Sequence, residues 1–211
     1  MTTDRVLLII NVVETVVLIL QFVLLNKQIK ISRKEINQGY EKERREKTVE
    51  YLFQWSEAVN NDIYNLAIPI VDALDEKQCK MLYDGVPFMV SGDLITLVNK
   101  MCDVEKLATC KTNGNSLIVD GEVLFALRSS TIKVLNALEN IMLAWQMKIV
   151  DTNTIENEFK SFVDYASGKM ILYNFRNITY NLNSYPAIKK FCKKQLSIVN
   201  KESKNTQITD V

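Results

Sequence analysis

Two groups of polar side chains stand where apolar ones would be expected, and they are the residues best placed to do chemistry. Residues 6–25 read VLLIINVVETVVLILQFVLL, sixteen apolar residues enclosing Asn11, Glu14, Thr15 and Gln21. At about 100° per residue these four fall within an arc of roughly 120° on a helix. Asn11, Glu14, Leu18 and Gln21 also follow the alternating three- and four-residue spacing of a helix–helix seam. Lipid satisfies no polar group, so the chemistry open to such a stripe is hydrogen bonding between spans, or titration of Glu14 where a seam hydrates. The second group is Asn136 and Glu139, one helical turn apart in VLNALENIM. With Asp164 or Arg176 they can line a polar cleft. The simpler reading is that they satisfy one another, or a helix end, within the core.

Much chemistry is excluded by residue type. The chain has no histidine, which removes the Ser-His and Cys-His nucleophile pairs and the usual nitrogen ligands for zinc or iron. Cys79, Cys102, Cys110 and Cys192 form no CxxC pair and are read as reduced, buried thiols. There is no glycine-rich phosphate loop, no metal-spaced set of carboxylates and no internal repeat. Catalytic residues, metal ligands and cofactors are therefore expected to be none. An enzyme acting on a lipid or nucleotide through carboxylates is the least favoured class. With a net charge of +1, and basic residues concentrated in one short stretch whose only aromatic is Tyr40, no nucleic-acid partner is expected.

The elements that must position these residues begin with the apolar segment. Twenty residues at a rise of about 1.5 Å span about 30 Å, the thickness of a bilayer core. Its apolar residues favour insertion by roughly 5–10 kcal/mol, against about 3 for a central carboxylate. MTTDR is short and neutral, and no small-residue cleavage site follows the segment, so it reads as an uncleaved anchor rather than a signal peptide. Residues 26–47 carry eight basic and four acidic side chains. That asymmetry puts everything after the span in the cytoplasm. The organisation expected is an anchor over 1–25, a basic juxtamembrane helical stalk over 26–47 with Gly39 as its weak point, an α-helical domain over 48–200 and a flexible tail over 201–211. The fold class is all-α.

Within the domain, apolar spacing predicts a helix from Val49 that Pro69 kinks or ends, a short helix over 77–83, and another opened by Ser91 or Asp93. KTNGNSLIVDGE, residues 111–122, reads as a loop and a possible boundary between two halves of the domain. SLIV inside it has strand character but no evident partner. The strongest periodicity follows, with Leu124, Leu127, Val134, Leu135, Leu138, Ile141, Met142 and Trp145 on one side of a long helix. Asn153 is the expected cap of the next helix, with Glu156 at its third position. Pro186 opens the last helix.

The order of these features, an anchor, a basic segment, T-x-x-Y-L-x-x-W, an L-N-x-L-E helix, IVDTNTIENEF and YPAIKKFCKK, resembles a bacterial family of short membrane-anchored helical proteins known only as a domain of unknown function. The resemblance covers 6–60 loosely and 124–195 more closely. It implies a cytoplasmic α-helical domain on one N-terminal span in the bacterial inner membrane and no established enzyme activity. It also implies an association with stress or phage-defence systems.

The expectation is a single-pass interaction or effector protein. Its partners are the lipid bilayer, further copies of itself through Asn11, Glu14, Leu18 and Gln21, and a cytoplasmic protein. The alternative is a passive adaptor, a lone anchor with Glu14 protonated that tethers a cytoplasmic partner.

Overall fold

A chain with no proline before Pro69 and one glycine in its first 59 residues has nothing to interrupt a helix there. Helix α1 runs from Thr3 to Val59, through Gly39. The computed structural model describes the backbone of residues 3–59, 62–105, 107, 111–164, 169–180 and 184–206, and side chains within 21–59, 65–103, 107, 112–164, 169–178 and 184–198. Among the described residues no helix is long and apolar enough to cross a membrane. The side chains of 6–20, most of the expected span, lie outside the described set.

The chain divides into two compact units, 1–46 and 47–211. In the first, every described side chain from Gln21 to Glu46 is exposed. The second contains the end of α1, where Thr48 and Trp55 turn inward. It continues with α2 (Asp62–Asp72), α3 (Glu76–Asp84), β1 (Phe88–Ser91), α4 (Asp93–Glu105), β2 (Lys111–Asn113), β3 (Ser116–Val119) and α5 (Gly121–Gln146). After these come α6 (Thr152–Phe159), a 3₁₀ turn (Lys160–Phe162), β4 (Val163–Asp164), β5 (Lys169–Met170), α7 (Tyr173–Tyr180) and α8 (Pro186–Thr206). The fold is mostly helical. α8 runs six residues into the stretch expected to be a flexible tail, since neither proline nor glycine follows Pro186.

The eight residues of α5 expected on one side are all buried. They pack with Ile70, Val71, Phe159, Phe175 and Phe191 in one continuous core. Trp145 stacks edge-on against Phe191 with ring centres 5.1 Å apart, and Trp55 of α1 meets Phe159 in the same way at 5.4 Å. The indole Nε1 of Trp145 donates to Glu156 at 2.8 Å, so the one polar atom of a buried ring is satisfied.

Several local expectations are corrected. SLIV is strand β3, and it has partners. β1 and β2 flank it in an antiparallel sheet of order β1-β3-β2, with Val90 opposite Leu117 and Asn113 opposite Ser116. Gly114 and Asn115 make a tight two-residue hairpin turn between β2 and β3, Gly114 at φ 61° supplying the left-handed backbone such turns need. The alternation Phe88 and Val90 in, Met89 and Ser91 out buries one face of β1. Residues 111–119 thus join the domain rather than divide it, and Ser91 belongs to a strand rather than capping a helix.

Pro69 lies inside α2 and does not end it; Ile70, Val71 and Leu74 beyond it are fully buried, and that burial outweighs one missing backbone bond. Asp151, not Asn153, caps α6, its carboxylate accepting from the Thr154 amide at 2.8 Å. The Asp151 amide donates to the buried Thr48 hydroxyl at 2.7 Å, a tertiary bond that sets the start of the helix two residues earlier.

Candidate functional site

Helix α5 delivers Glu139 to the start of α8. Its carboxylate accepts from the Ala187 amide at 2.8 Å and the Ile188 amide at 3.0 Å, two of the four amides that a helix leaves without an internal partner. One turn earlier Asn136 Oδ1 accepts from the Tyr185 hydroxyl at 3.4 Å. Glu139 therefore acts as a cap supplied from another helix, while Asn136 holds the Tyr185 side chain beside it. This is the helix-end alternative, with the cleft built beside it from different residues.

Arg176 on α7 lies at the same junction. Its Nε donates to the Ile171 carbonyl at 3.1 Å and its Nη2 to the Met170 carbonyl at 3.2 Å. Burial lowers the guanidinium pKa, opposed by Cys192, Asp72, Tyr173 and Glu139. Asp72 of α2 accepts from the Leu172 amide just before α7; burial raises its carboxyl, with that amide and Arg176 pulling the other way. Of the four residues singled out, Asn136, Glu139 and Arg176 converge here. Asp164 lines a second cavity, of about 310 Å³, together with Asp72, Lys169 and Asn174.

Between α7 and the start of α8 lies a cavity of about 180 Å³ lined by Tyr173, Arg176, Asn177, Ser184, Tyr185 and Lys189. Burial and the nearby Glu139 and Tyr83 raise the Tyr185 phenol, so it stays a neutral hydroxyl. Two backbone outliers border the cavity: Leu172 at φ 57° and Tyr185 at φ 62°, both in the left-handed region that non-glycine residues rarely occupy. Sequence reasoning reached Arg176 but missed the other five lining residues. One signal pointed to Lys189: PAIKK puts two lysines in the first turns of a helix, the wrong sign for its positive end.

The remaining expected sites are dispersed. The side chains of Asn11, Glu14 and Leu18 lie outside the described residues, and Gln21 is exposed on α1. Cys79, Cys102 and Cys192 are buried thiols outside any disulfide, while Cys110 lies outside the described residues. Burial, reinforced by Asp75, Asp72 and Glu76, pushes the Cys79 thiol up to about 12, far from the reactive thiolate range. Among the described residues no cluster of three or more Cys, Asp or Glu side chains is placed to hold a metal ion. No family model, no curated protein and no solved structure matches this chain.

Proposed function

We propose that the chain is a membrane-anchored interaction protein whose helical domain binds a partner on the cytoplasmic side and whose span self-associates. The observation that carries this reading is the run Phe22-Val23-Leu24-Leu25, four consecutive apolar side chains all more than half exposed on an unbroken helix. A helix that is apolar all round is stable only inside protein or lipid. Lys27, Lys30, Arg33 and Lys34 follow with no acidic residue before Glu35, the charge pattern of the cytoplasmic side of a span. On this reading residues 6–25 cross the bilayer of a bacterial inner membrane and 26–47 form the stalk. Asn11, Glu14 and Gln21 hydrogen-bond across a seam between copies, each bond contributing only about 0.6–2 kcal/mol.

Carbonate extraction of native membranes tests the anchor, and the protein stays with the lipid pellet if the reading holds. Crosslinking in the same membranes tests the seam. Wild type and Glu14→Gln give oligomers, and Glu14→Leu gives mostly monomer while remaining inserted. Release by carbonate overturns the anchor. Equal crosslinking of wild type and Glu14→Leu leaves a passive tether in place of the self-associating one.

A further inference from the structure

We propose that the cavity between α7 and the start of α8 binds a monophosphate group, free or carried on a small molecule or lipid headgroup. Each of its described lining residues carries a polar group: a guanidinium, an ammonium, two phenols, a hydroxyl and an amide, with no carboxylate among them. Two formal positive charges face a space with six hydrogen-bonding side chains. A phosphate monoester matches that, carrying about −1.5 to −2 charges near neutral pH on three acceptor oxygens. A carboxylate offers half the charge and two oxygens, so it leaves part of the wall unanswered.

Position supports the same assignment. The Arg176 guanidinium is anchored through Nε and Nη2 on the Ile171 and Met170 carbonyls, which fixes its plane; a guanidinium held in one plane recognises phosphate with directional bonds from its remaining N–H groups. Lys189, from the first turns of α8, brings a second cation to the same wall. Asp72 and Glu139 lie within electrostatic reach of Arg176 but outside the cavity wall, and Glu139 occupies the Ala187 and Ile188 amides. The ligand is therefore held by side chains rather than by those two amides. Size narrows the class further. About 180 Å³ is below the ~300–1,000 Å³ of sites for drug-sized ligands, so the cavity takes the phosphate group and not the body that carries it. The strained backbone at Leu172 and Tyr185 brackets this cavity, as strain often brackets ligand sites. The proposal does not depend on the membrane reading.

Isothermal titration of the full chain in detergent tests it, with inorganic phosphate, acetate and a short-chain phosphatidic acid as probes at matched ionic strength. Wild type binds phosphate saturably and acetate at least about tenfold more weakly, and Lys189→Ala and Arg176→Lys each weaken phosphate about tenfold or more. Arg176→Lys can disturb folding through its carbonyl bonds, so its circular dichroism is checked, while Lys189→Ala tests the site without touching those bonds. Tighter binding of the phosphatidic acid than of phosphate, lost in the variants, assigns the group to a headgroup; the reverse assigns it to a soluble ligand. Absence of saturable binding to either phosphate probe, equal affinity for acetate, or binding that survives both variants overturns the proposal.

Discussion

Two stretches of one helix, Gln21–Glu46 and Lys47–Val59, share a backbone conformation and differ in what sustains it. In the first, all side chains are exposed. The ion pairs are local, such as Lys42–Glu46 at 3.8 Å and Glu41–Arg45 at 3.9 Å, and each contributes only about 0.3–0.5 kcal/mol. Good helix formers and the absence of proline carry that stretch through Gly39. In the second, Trp55 packs on Phe159 and Phe162, and Thr48 accepts a bond from a residue more than a hundred positions away. The same turn geometry is there a consequence of tertiary packing. Helicity alone therefore says little about which residues a substitution will hurt; the burial of the side chain and its long-range partners decide that.

The sharpest way to break this contrast is in the core of the second unit. Trp145→Ala removes a buried ring, its edge contact with Phe191 and its bond to Glu156, and is expected to cost ~3–5 kcal/mol. Urea unfolding of the full chain measures it. A loss below about 1 kcal/mol would mean that α5 presents another face to the core.

A smaller effect is expected at the polar junction. Glu139→Ala leaves the Ala187 and Ile188 amides without their acceptor and should cost about 1–2 kcal/mol. Glu139→Gln, which keeps one acceptor oxygen, should cost less. Equal losses for the two variants would show that charge, not capping, is what Glu139 supplies.

The thiol of Cys79 adds a pH dependence. Its folded pKa of about 12 stands above the ordinary 9.0, so the folded state holds the proton more tightly than the unfolded one. Stability must then fall as pH rises above about 9 and level off only near 12. Cys79→Ala should flatten that alkaline slope, read from unfolding midpoints between pH 8 and 10.5. An unchanged slope would assign it to other groups.

The smallest effect belongs to the exposed stretch. Replacing Lys42 and Glu46 together by alanine should move the unfolding of the compact unit by less than about 0.5 kcal/mol, because the pair is solvent-screened and touches none of its core. A larger loss would tie that stretch to the core and dissolve the contrast between the two parts of α1.

Local chemistry alone was enough to show the long first helix, the buried side of α5, Pro186 at the start of α8 and the absence of histidine chemistry. Each follows from periodicity, capping preference or composition within one short window, and such signals survive in almost any tertiary context. The partners of SLIV, the place of Pro69 inside α2 and the Asp151 cap were decided elsewhere in the chain. Phe88–Ser91, the core around Ile70 and the hydroxyl of Thr48 settled them, and no window around the affected residue contains those atoms. The candidate site divides in the same way. Glu139 stood out as a carboxylate among apolar neighbours, and the misplaced charge of Lys189 was legible beside Pro186. That Arg176, Tyr185 and Lys189 share one cavity depends on the packing of α7 and α8 against α5, because a binding site is a property of distances between segments, and a sequence records only the order along one.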